Sequence, residues 1–172
     1  GDGGLLQRLD YETSGAVMVG RSQQVYDILV NAQQKDKIEK SYLALVHGST
    51  PDRFSVETPL VGSGVNNCKT AVFSTGRVYR TDIFTVSSYK KFTLVKAVIH
   101  RGARHQIRVH LAHKGFPIAM DSMYCSFPGP LGLNRLFLHA NELRFEHPIT
   151  NLPVKVESSL PEDLKVLMDN LE

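Results

Sequence analysis

The stretch that spans residues 83–99 reads IFTVSSYKKFTLVKAVI and contains two apolar runs separated by a polar turn. The two runs, residues 83–87 and 92–99, are each of strand length and rich in β-branched residues and phenylalanine. Polar residues that are typical of turns lie between them. The stretch therefore predicts two successive strands joined by a turn.

Similar patterns continue on both sides of this stretch. Further strands are predicted over residues 16–19, 42–47, 71–73, 78–79, 136–139 and 143–145. One helix is predicted after Ser22, which can cap it, a second over residues 105–114, ended by Gly115, and a third over residues 163–171, begun by Pro161. Several strands in a row with few helices favour an α+β fold, with a mixed, largely antiparallel sheet and flanking helices. We find no internal repeat or linker in the sequence, so a single domain is the simplest organisation.

The composition is that of an ordinary soluble protein, with 42% hydrophobic and 22% charged residues. Apolar runs such as residues 92–99 are far too short to span a bilayer. Residues 1–10 show no basic stretch that leads into an apolar one, so we expect no secretory signal. The two cysteines, Cys68 and Cys125, lack CxxC spacing. This favours free thiols in a reducing compartment, and we expect a cytoplasmic protein.

The net charge of +3 is small, but its distribution along the chain is uneven. Residues 83–120 contain no acidic residue, whereas they hold Lys90, Lys91, Lys96, Arg101, Arg104, Arg108 and Lys114 together with four histidines. The C-terminal residues 157–172 are acidic by contrast. A basic middle and an acidic tail are typical of a face that binds a polyanion such as nucleic acid. The alternative is an arbitrary fluctuation of charge on a solvated surface.

Residues 8–15 read RLDYETSG and place Arg8 and Asp10 two positions apart, before a cluster of turn formers. In an extended segment, residues so spaced point the same way, so a cation and a carboxylate share one face. The turn formers put the carboxylate where a loop meets the next predicted strand, a position that is typical of catalytic groups. In the structural alternative, Asp10 caps a turn and Arg8 is its surface partner.

Residues 101–111, RGARHQIRVHL, open the basic helix. His105 and Arg108 are three apart and share a face, whereas Ile107 and Leu111 should face the core. Arg108 could reach inward to a carboxylate or outward to a phosphate. Tyr42, at the start of an earlier predicted strand, would ordinarily be a half-buried residue with its hydroxyl satisfied.

The histidines of this helix suggest two further hypotheses. His110 and His113 are three apart, as metal ligands can be, but no third ligand with recognisable spacing follows, so we expect no metal site. A histidine-dependent ribonuclease that uses His105 or His110 has only the number of histidines in its favour.

Five segments together resemble motifs of the RluA-type RNA pseudouridine synthases, and the resemblance extends over nearly the whole chain. Residues 7–15 match HRLDxxTSG around the nucleophile of that family, and residues 40–46 match K-x-Y-x-A-x-V. Residues 102–112 resemble GRTHQIRVHLA, residues 116–125 resemble HPIxGDxxYG, and residues 135–150 resemble RLxLHAxxLxFxHPxT. Any one match could be chance, but five in the order of the family could hardly be.

The resemblance implies an isomerase that converts a specific uridine of a structured RNA, ribosomal or transfer, to pseudouridine. It implies that Asp10 is the nucleophile, that Tyr42 lies against the target base and that Arg108 pairs with the catalytic aspartate. Arg8 matches the residue that enters the base stack when the uridine is flipped out. The residues expected to bind the RNA substrate are Arg8, Thr13, Arg104, His105 and Gln106. The resemblance implies no cofactor and no metal, and we expect a monomer that acts away from membranes.

Four positions depart from the motifs of the family. Gln7 stands in place of His, Ala103 with Arg104 in place of Arg-Thr, Phe116 in place of His, and Met120 in place of Gly. None of these changes removes an expected catalytic residue. We therefore interpret them as changes in RNA contacts or in local turns.

The start of the chain also differs from the family pattern. Family members carry several tens of residues before the nucleophile loop, including strands with a VVNKPxG-like sequence, and often an RNA-binding S4 domain. Asp10 lies close to the first residue here. We therefore expect residues 1–172 to form a catalytic domain that is shortened at its N-terminus, lacks strands of the sheet and has no S4 domain.

We further predict an ion pair between Arg108 and Asp10, with guanidinium nitrogens within about 4 Å of the carboxylate oxygens. A guanidinium would stabilise the charged carboxylate in a cleft that excludes water and would fix its orientation. In the competing arrangement, Arg108 contacts an RNA phosphate and Asp10 pairs with Arg8. The main rival function is a non-catalytic RNA-binding or assembly protein that retains the synthase fold.

Overall fold

The computed structural model describes residues 4–63, 69–130 and 132–171. Within these ranges the elements follow in the order β1 (Ser14–Gly15), α1 (Gln23–Gln34), β2 (Glu39–His47), β3 (Arg53–Ser63), β4 (Lys69–Val72), β5 (Val78–Ser88), β6 (Phe92–Ile99), α2 (Gln106–His113), β7 (Leu138–Glu146), β8 (Pro153–Glu157) and α3 (Glu162–Asp169). None of the described helices is long and apolar enough to cross a membrane. Cys125 is a free thiol, whereas Cys68 lies outside the described residues.

The strands form one mixed sheet in the order β1-β7-β2-β6-β5-β3-β4, and β8 also pairs with β7. Every pairing is antiparallel except that of β1 with β7, which is parallel. Residues 83–99 supply β6 and part of β5, and β6 lies near the middle of the sheet, between β2 and β5. The structure thus confirms the predicted α+β fold with a largely antiparallel sheet.

The main core lies where the helices cover the central strands. Leu45, Val95 and Leu111 are fully buried there, and Ile107 of α2 and Leu164 of α3 belong to the same cluster. Burial of each such side chain contributes about 1.5–3 kcal/mol to stability. The prediction that Ile107 and Leu111 face the core is confirmed.

Two of the strands are longer than the sequence predicts. The predicted strands over residues 78–79 and 83–87 are parts of the single strand β5, which continues through Arg80 and Asp82. These polar residues stay in the ladder because Arg80 and Ser55 both donate hydrogen bonds to Asp82, with Ser55 lying on the neighbouring β3. Residues 136–139 and 143–145 likewise contribute to one strand, β7, whose register against β2 shifts at Tyr42.

Other differences concern strands that apolar patterns represent poorly. The pattern does not predict β3, which contains Pro59, or β8, whose residues are mostly exposed. The predicted strand over residues 16–19 is wrong: only Val19 makes an isolated bridge, to Leu5. That apolar run contains one buried side chain, Met18, and is not a fully buried strand.

The three predicted helices are present, although α3 ends at Asp169, two residues before its predicted end. The hydroxyl of Ser22 accepts a hydrogen bond from the amide of Val25 and caps α1. Pro161 precedes α3. After α2, Gly115 adopts a φ of +84°, a left-handed conformation that ends a helix at little cost in a residue without Cβ.

Candidate active site

The loop that carries Asp10 is held against the end of strand β7. Ser14 and Gly15 form β1 and pair in parallel with His139 and Ala140 of β7. Gly15 has a φ of +119°, and a Cβ there would lie 2.2 Å from the carbonyl oxygen of Ala140. Only glycine permits so close an approach. The glycine of RLDYETSG is therefore needed to place the aspartate.

Side chains fix the same loop further. The hydroxyl of Ser14 lies 2.9 Å from Nδ1 of His139. The guanidinium of Arg135 donates to the carbonyl oxygen of Glu12 at 3.1 Å and to the carboxylate of Asp163 in α3 at 2.6 Å. Asp10 thus sits in a loop position that a rigid scaffold supports, as expected from its turn formers.

Arg108 holds the carboxylate of Asp10 and at the same time that of a second acid. Its Nη1 lies 2.9 Å from Oδ2 of Asp10, so the predicted ion pair is confirmed. Its Nε and Nη2 donate to the two oxygens of Asp121 at 2.8 Å each. Arg108 therefore reaches inward, whereas Arg8 is exposed and lies at the wall of the same cavity.

Asp121 is fully enclosed and has its own supports. Its side chain has 0% exposure and accepts hydrogen bonds from the backbone amides of Met123 at 3.0 Å and Tyr124 at 3.1 Å. The preceding Met120 has a φ of +62°, in the region that favours glycine. The family motif has glycine at this position, so the departure at Met120 lies at a backbone turn that aims Asp121 at Arg108.

The two carboxylates keep Arg108 charged in spite of its burial. Burial acts to lower the pKa of the guanidinium, but the hydrogen bonds and charges of Asp121 and Asp10 outweigh it and raise that pKa above its ordinary value. Such charge-assisted, bidentate contacts are among the stronger hydrogen bonds in proteins. The arrangement provides a fixed positive charge beside Asp10.

His105 lies on the other side of the Asp10 carboxylate. Its Nε2 is 3.8 Å from Oδ1 of Asp10, and its Nδ1 is 2.9 Å from the hydroxyl of Tyr124. Burial lowers the pKa of His105, although the charge of Asp10 opposes this effect. At neutral pH the imidazole is therefore mainly neutral, and its contact with Asp10 is polar without being an ion pair.

Tyr42 faces the same site from β2. It is buried, and burial together with the charge of Asp10 raises the pKa of its phenol to about 12. The hydroxyl therefore remains protonated at neutral pH. Tyr42 and Asp10 together present an aromatic ring and a carboxylate to one space.

That space is an open cavity of about 1000 Å³. The residues that line it include the following: Arg8, Asp10, Glu12, Gln33, Lys40, Tyr42, Gly102, Arg104, His105 and Arg108. Its volume is at the upper end of the range for sites that take drug-sized ligands. The cavity thus brings together the three expected catalytic residues and three of the expected RNA-binding residues.

Comparisons with known proteins indicate the family of the chain. Residues 3–113 match the family model described as RNA pseudouridylate synthase. The chain belongs to this family. It is 34% identical over 169 residues to an uncharacterized RNA pseudouridine synthase of Chloroflexus aurantiacus, with 98% of this chain and 54% of the relative covered. It is 33% identical over 173 residues to the ribosomal large subunit pseudouridine synthase C of Vibrio vulnificus, with 97% and 55% covered.

The chain therefore spans about half the length of the curated relatives that it matches. A solved structure, human RNA Pseudouridylate Synthase Domain Containing 1, is similar in fold, with a TM-score of 0.78. The match covers 91% of this chain and 69% of that chain at 22% identity. The pseudouridylate synthase fold is thus supported by sequence and by structure.

Two residues expected to bind RNA, Thr13 and Gln106, have buried polar side-chain atoms. Gln106 is buried, and its side chain bonds the amide of Ala103, the carbonyl of Arg80 and the hydroxyl of Thr81. The hydroxyl of Thr13 is buried and makes no hydrogen bond within the described part of the chain. Gln106 has its polar atoms satisfied without RNA, whereas Thr13 has an unused one beside Asp10.

The two ends of the basic stretch lie far apart. Lys90 and Lys91 precede β6, whereas Arg101 and Arg104 follow it, so the eight residues of that strand separate them. At about 3.3 Å per residue this is roughly 26 Å. Arg101 also pairs with Asp36 at 2.7 Å. Of these four residues, Arg104 lines the cavity, so the expectation that all four contact RNA phosphates stays a prediction.

Sequence reasoning assigns no role to Asp121, Tyr124 or Lys40, although all three contribute to the site. The signal for Asp121 is its place as the first acid after the long basic stretch, within a family-like motif. Tyr124 belongs to the same motif, and Lys40 is two residues before Tyr42 on the same strand. Spacing on a strand would have placed Lys40 beside Tyr42.

Proposed function

We propose that this chain isomerises a specific uridine to pseudouridine in a structured RNA, with Asp10 as the nucleophile. The observation that carries the proposal is the contact of 2.9 Å between Arg108 and Asp10 at the wall of the cavity beside Tyr42. A carboxylate whose orientation is fixed by a buried arginine is prepared for attack on a nucleotide. Membership of the pseudouridylate synthase family supports the same reaction.

The proposed chemistry balances without a co-reactant. The carboxylate of Asp10 attacks the target nucleotide, and the C1′–N1 glycosidic bond breaks. The detached uracil turns and rejoins through C5, so a C1′–C5 bond forms. The bond between Asp10 and the nucleotide breaks, which restores the free carboxylate. The proton on C5 is released, and N1 takes up a proton. Carboxylate nucleophiles suit glycosidic bonds because the transition state has oxocarbenium character.

The neighbouring residues then have distinct roles. Arg108 stabilises the negative charge of Asp10, and because Asp121 anchors it independently, its position is set before the RNA binds. The neutral ring of Tyr42 provides a face against which the flipped base can pack. The exposed Arg8 at the wall of the cavity is placed to fill the gap left in the base stack.

The substrate that we propose is ribosomal RNA of the large subunit. The support is the name of the Vibrio vulnificus relative, which is a ribosomal large subunit pseudouridine synthase. Transfer RNA is the second candidate from the family resemblance. We propose that the protein works in the cytoplasm, as a monomer and without a cofactor or metal.

One experiment distinguishes the proposed function from its rivals. RNA transcripts that carry tritium at C5 of uridine are incubated with the full chain. Isomerisation releases tritium to water, binding alone releases none, and a nuclease shortens the RNA. Release from a large-subunit transcript with no shortening is the expected result. Retention of all the tritium by both ribosomal and transfer RNA transcripts would contradict the proposed function.

A further inference from the structure

Lys40 is a buried lysine in the wall of the cavity that contains Asp10. It lies two residues before Tyr42 on β2, and both side chains line the same space because strand residues two apart share a face. The residue is only 3% exposed. Its Nζ donates a hydrogen bond to Oε1 of Gln33 at 2.9 Å.

The charge of Lys40 has no protein counterion in the described ranges of the chain, where no carboxylate lies within 4.0 Å of its Nζ. Burial lowers the pKa of Lys40 to about 8, so the amine is still mainly protonated at neutral pH. A buried cation without an anion is costly, and an ammonium has three hydrogens to donate. Lys40 therefore has charge and donors available for a ligand in the cavity.

The surroundings of Nζ leave room for that ligand. Gly102 lies beside Nζ, since a Cβ built on it would be 3.9 Å away, and Gly102 and Lys40 both line the cavity. Gln33 is neutral, and the Asp10 carboxylate on the cavity wall is already paired with Arg108. Among the other charged groups on the wall, the two cations Arg8 and Arg104 outnumber the one acid, Glu12. The side of the cavity at Lys40 is thus suited to an anion.

We infer that Lys40 binds a backbone phosphate of the RNA next to the flipped uridine. The inference rests on the proposed function, because a nucleotide in the cavity brings its phosphodiester with it. A phosphate supplies the anion and the acceptor oxygens that the ammonium lacks. Lys40 would position the RNA chain while Tyr42, on the same strand, contacts the base.

The test compares variants of the full chain on a tritiated transcript of large-subunit ribosomal RNA. Lys40→Gln removes the charge, Lys40→Arg keeps it, and Lys165→Gln removes an equal charge from α3, outside the residues that line the cavity. Thermal unfolding first shows that each variant is folded. RNA affinity is then measured against salt concentration, and turnover is measured at saturating RNA.

We expect Lys40→Gln to weaken binding about 10-fold, as the loss of one hydrogen bond to a charged group would. The slope of log affinity against log salt should flatten by about 0.7, the value for one contact to single-stranded nucleic acid. Turnover at saturating RNA should change less than about 3-fold. Lys40→Arg should keep the wild-type slope, and Lys165→Gln should leave both affinity and slope unchanged.

The alternative is that Lys40 transfers a proton in the reaction. In that case both Lys40 variants lose turnover, while the salt slope of Lys40→Gln equals that of the wild type. This result, or an unchanged slope in a folded Lys40→Gln protein, overturns the inference. A wild-type chain that binds the RNA but releases no tritium contradicts the proposed isomerisation alone, because the slopes still decide the role of Lys40. A chain that does not bind the RNA contradicts both.

Discussion

Arg108 and His110 lie two residues apart on the same short helix, and both are buried. Arg108 nevertheless stays charged, whereas His110 is neutral. Arg108 points to the cavity, contacts two carboxylates, and its pKa is raised. His110 points between β3 and β5, where its ring nitrogens lie 3.0 Å and 2.8 Å from the hydroxyls of Thr58 and Thr81. Burial lowers the pKa of His110 to about 4.

The difference shows that the groups a buried side chain of α2 contacts, and not how deeply it is buried, decide whether it is charged. Two acids compensate the desolvation of Arg108, whereas two neutral hydroxyls satisfy the hydrogen bonding of His110 without stabilising a charge. The side of α2 with Arg108 faces the proposed active site, whereas the side with His110 packs against β3 and β5. Four predictions test this contrast, from the largest expected effect to the smallest.

The largest effect is expected from Arg108→Met, which leaves Asp121 buried without a cation. Breaking a buried ion pair by removing one partner costs about 3–5 kcal/mol. Turnover should fall by at least about 10²–10³-fold, since a fixed charge at the reacting group is lost. Urea denaturation gives the free energy of unfolding, and tritium release gives turnover.

The double variant Arg108→Met with Asp121→Asn is the matched control. It removes the uncompensated carboxylate, so it should regain part of the lost stability while remaining inactive. If the free energy of unfolding of Arg108→Met lies within about 1 kcal/mol of the wild-type value, Asp121 is not a buried charge that depends on Arg108.

How far the sequence anticipates this contrast depends on whether the contacting residues lie in a family-like motif or a periodic pattern. The family-like motifs predict the pairing of Arg108 with Asp10, although 98 positions separate the two residues. The helical spacing also predicts that Ile107 and Leu111 face the core. The environment of His110 is not predictable in the same way, because one of its threonines lies on β3, a strand that the apolar pattern does not reveal.

Within the site, the sequence identifies residues but not all of their partners. Asp121 and Tyr124 gain their roles from a turn at Met120, whose left-handed backbone no apolar or charge pattern reports. Lys40 reads as an ordinary strand lysine, and only the packing of α1 beside it shows that it is buried next to Gln33.

The second prediction concerns Asp121→Asn, which keeps the shape of the side chain and removes its charge. The amide oxygen can still accept hydrogen bonds, so the expected loss of stability is about 1–3 kcal/mol, less than for Arg108→Met. Turnover should fall about 10-fold because Arg108 is held less firmly against Asp10. Urea denaturation and single-turnover tritium release measure the two effects, and a wild-type rate would show that Asp121 does not position Arg108.

The third prediction uses pH to test the neutrality of His110. The unfolded chain takes up a proton on this histidine near pH 6.5, whereas the folded chain does so only near pH 4. The unfolded state therefore binds more protons in this range, so His110 reduces stability as the pH falls from 6.5 to 4, by up to about 1.4 kcal/mol per pH unit.

His110→Gln should be less stable at pH 7 by about 1–3 kcal/mol, because its amide cannot reproduce both ring contacts. Its disadvantage relative to the wild type should shrink as the pH falls to 4. Urea denaturation at several pH values gives the difference between the two proteins, from which the other titrating groups largely cancel. Parallel stability profiles would mean that His110 is not held neutral in the fold.

The smallest effect is expected from Tyr124→Phe. The hydroxyl of Tyr124 accepts a hydrogen bond from the amide of Thr70 and contacts His105, so its loss should cost about 1–2 kcal/mol. Turnover should fall less than 10-fold, because Arg108 still holds Asp10. Tyr26→Phe in α1 is the matched control and should change neither quantity. A loss of turnover as large as that of Arg108→Met would transfer the central role from Arg108 to His105 and Tyr124.

The central claim, that the carboxylate beside Arg108 is the nucleophile, is tested most directly by Asp10→Asn. The amide is nearly isosteric and still accepts a hydrogen bond from Arg108, but it cannot serve as the nucleophile. With tritiated large-subunit transcript in single-turnover conditions, Asp10→Asn should bind RNA within about 3-fold of the wild type, a difference below 1 kcal/mol. It should release no tritium above background. Appreciable tritium release by the folded Asp10→Asn protein would contradict the account.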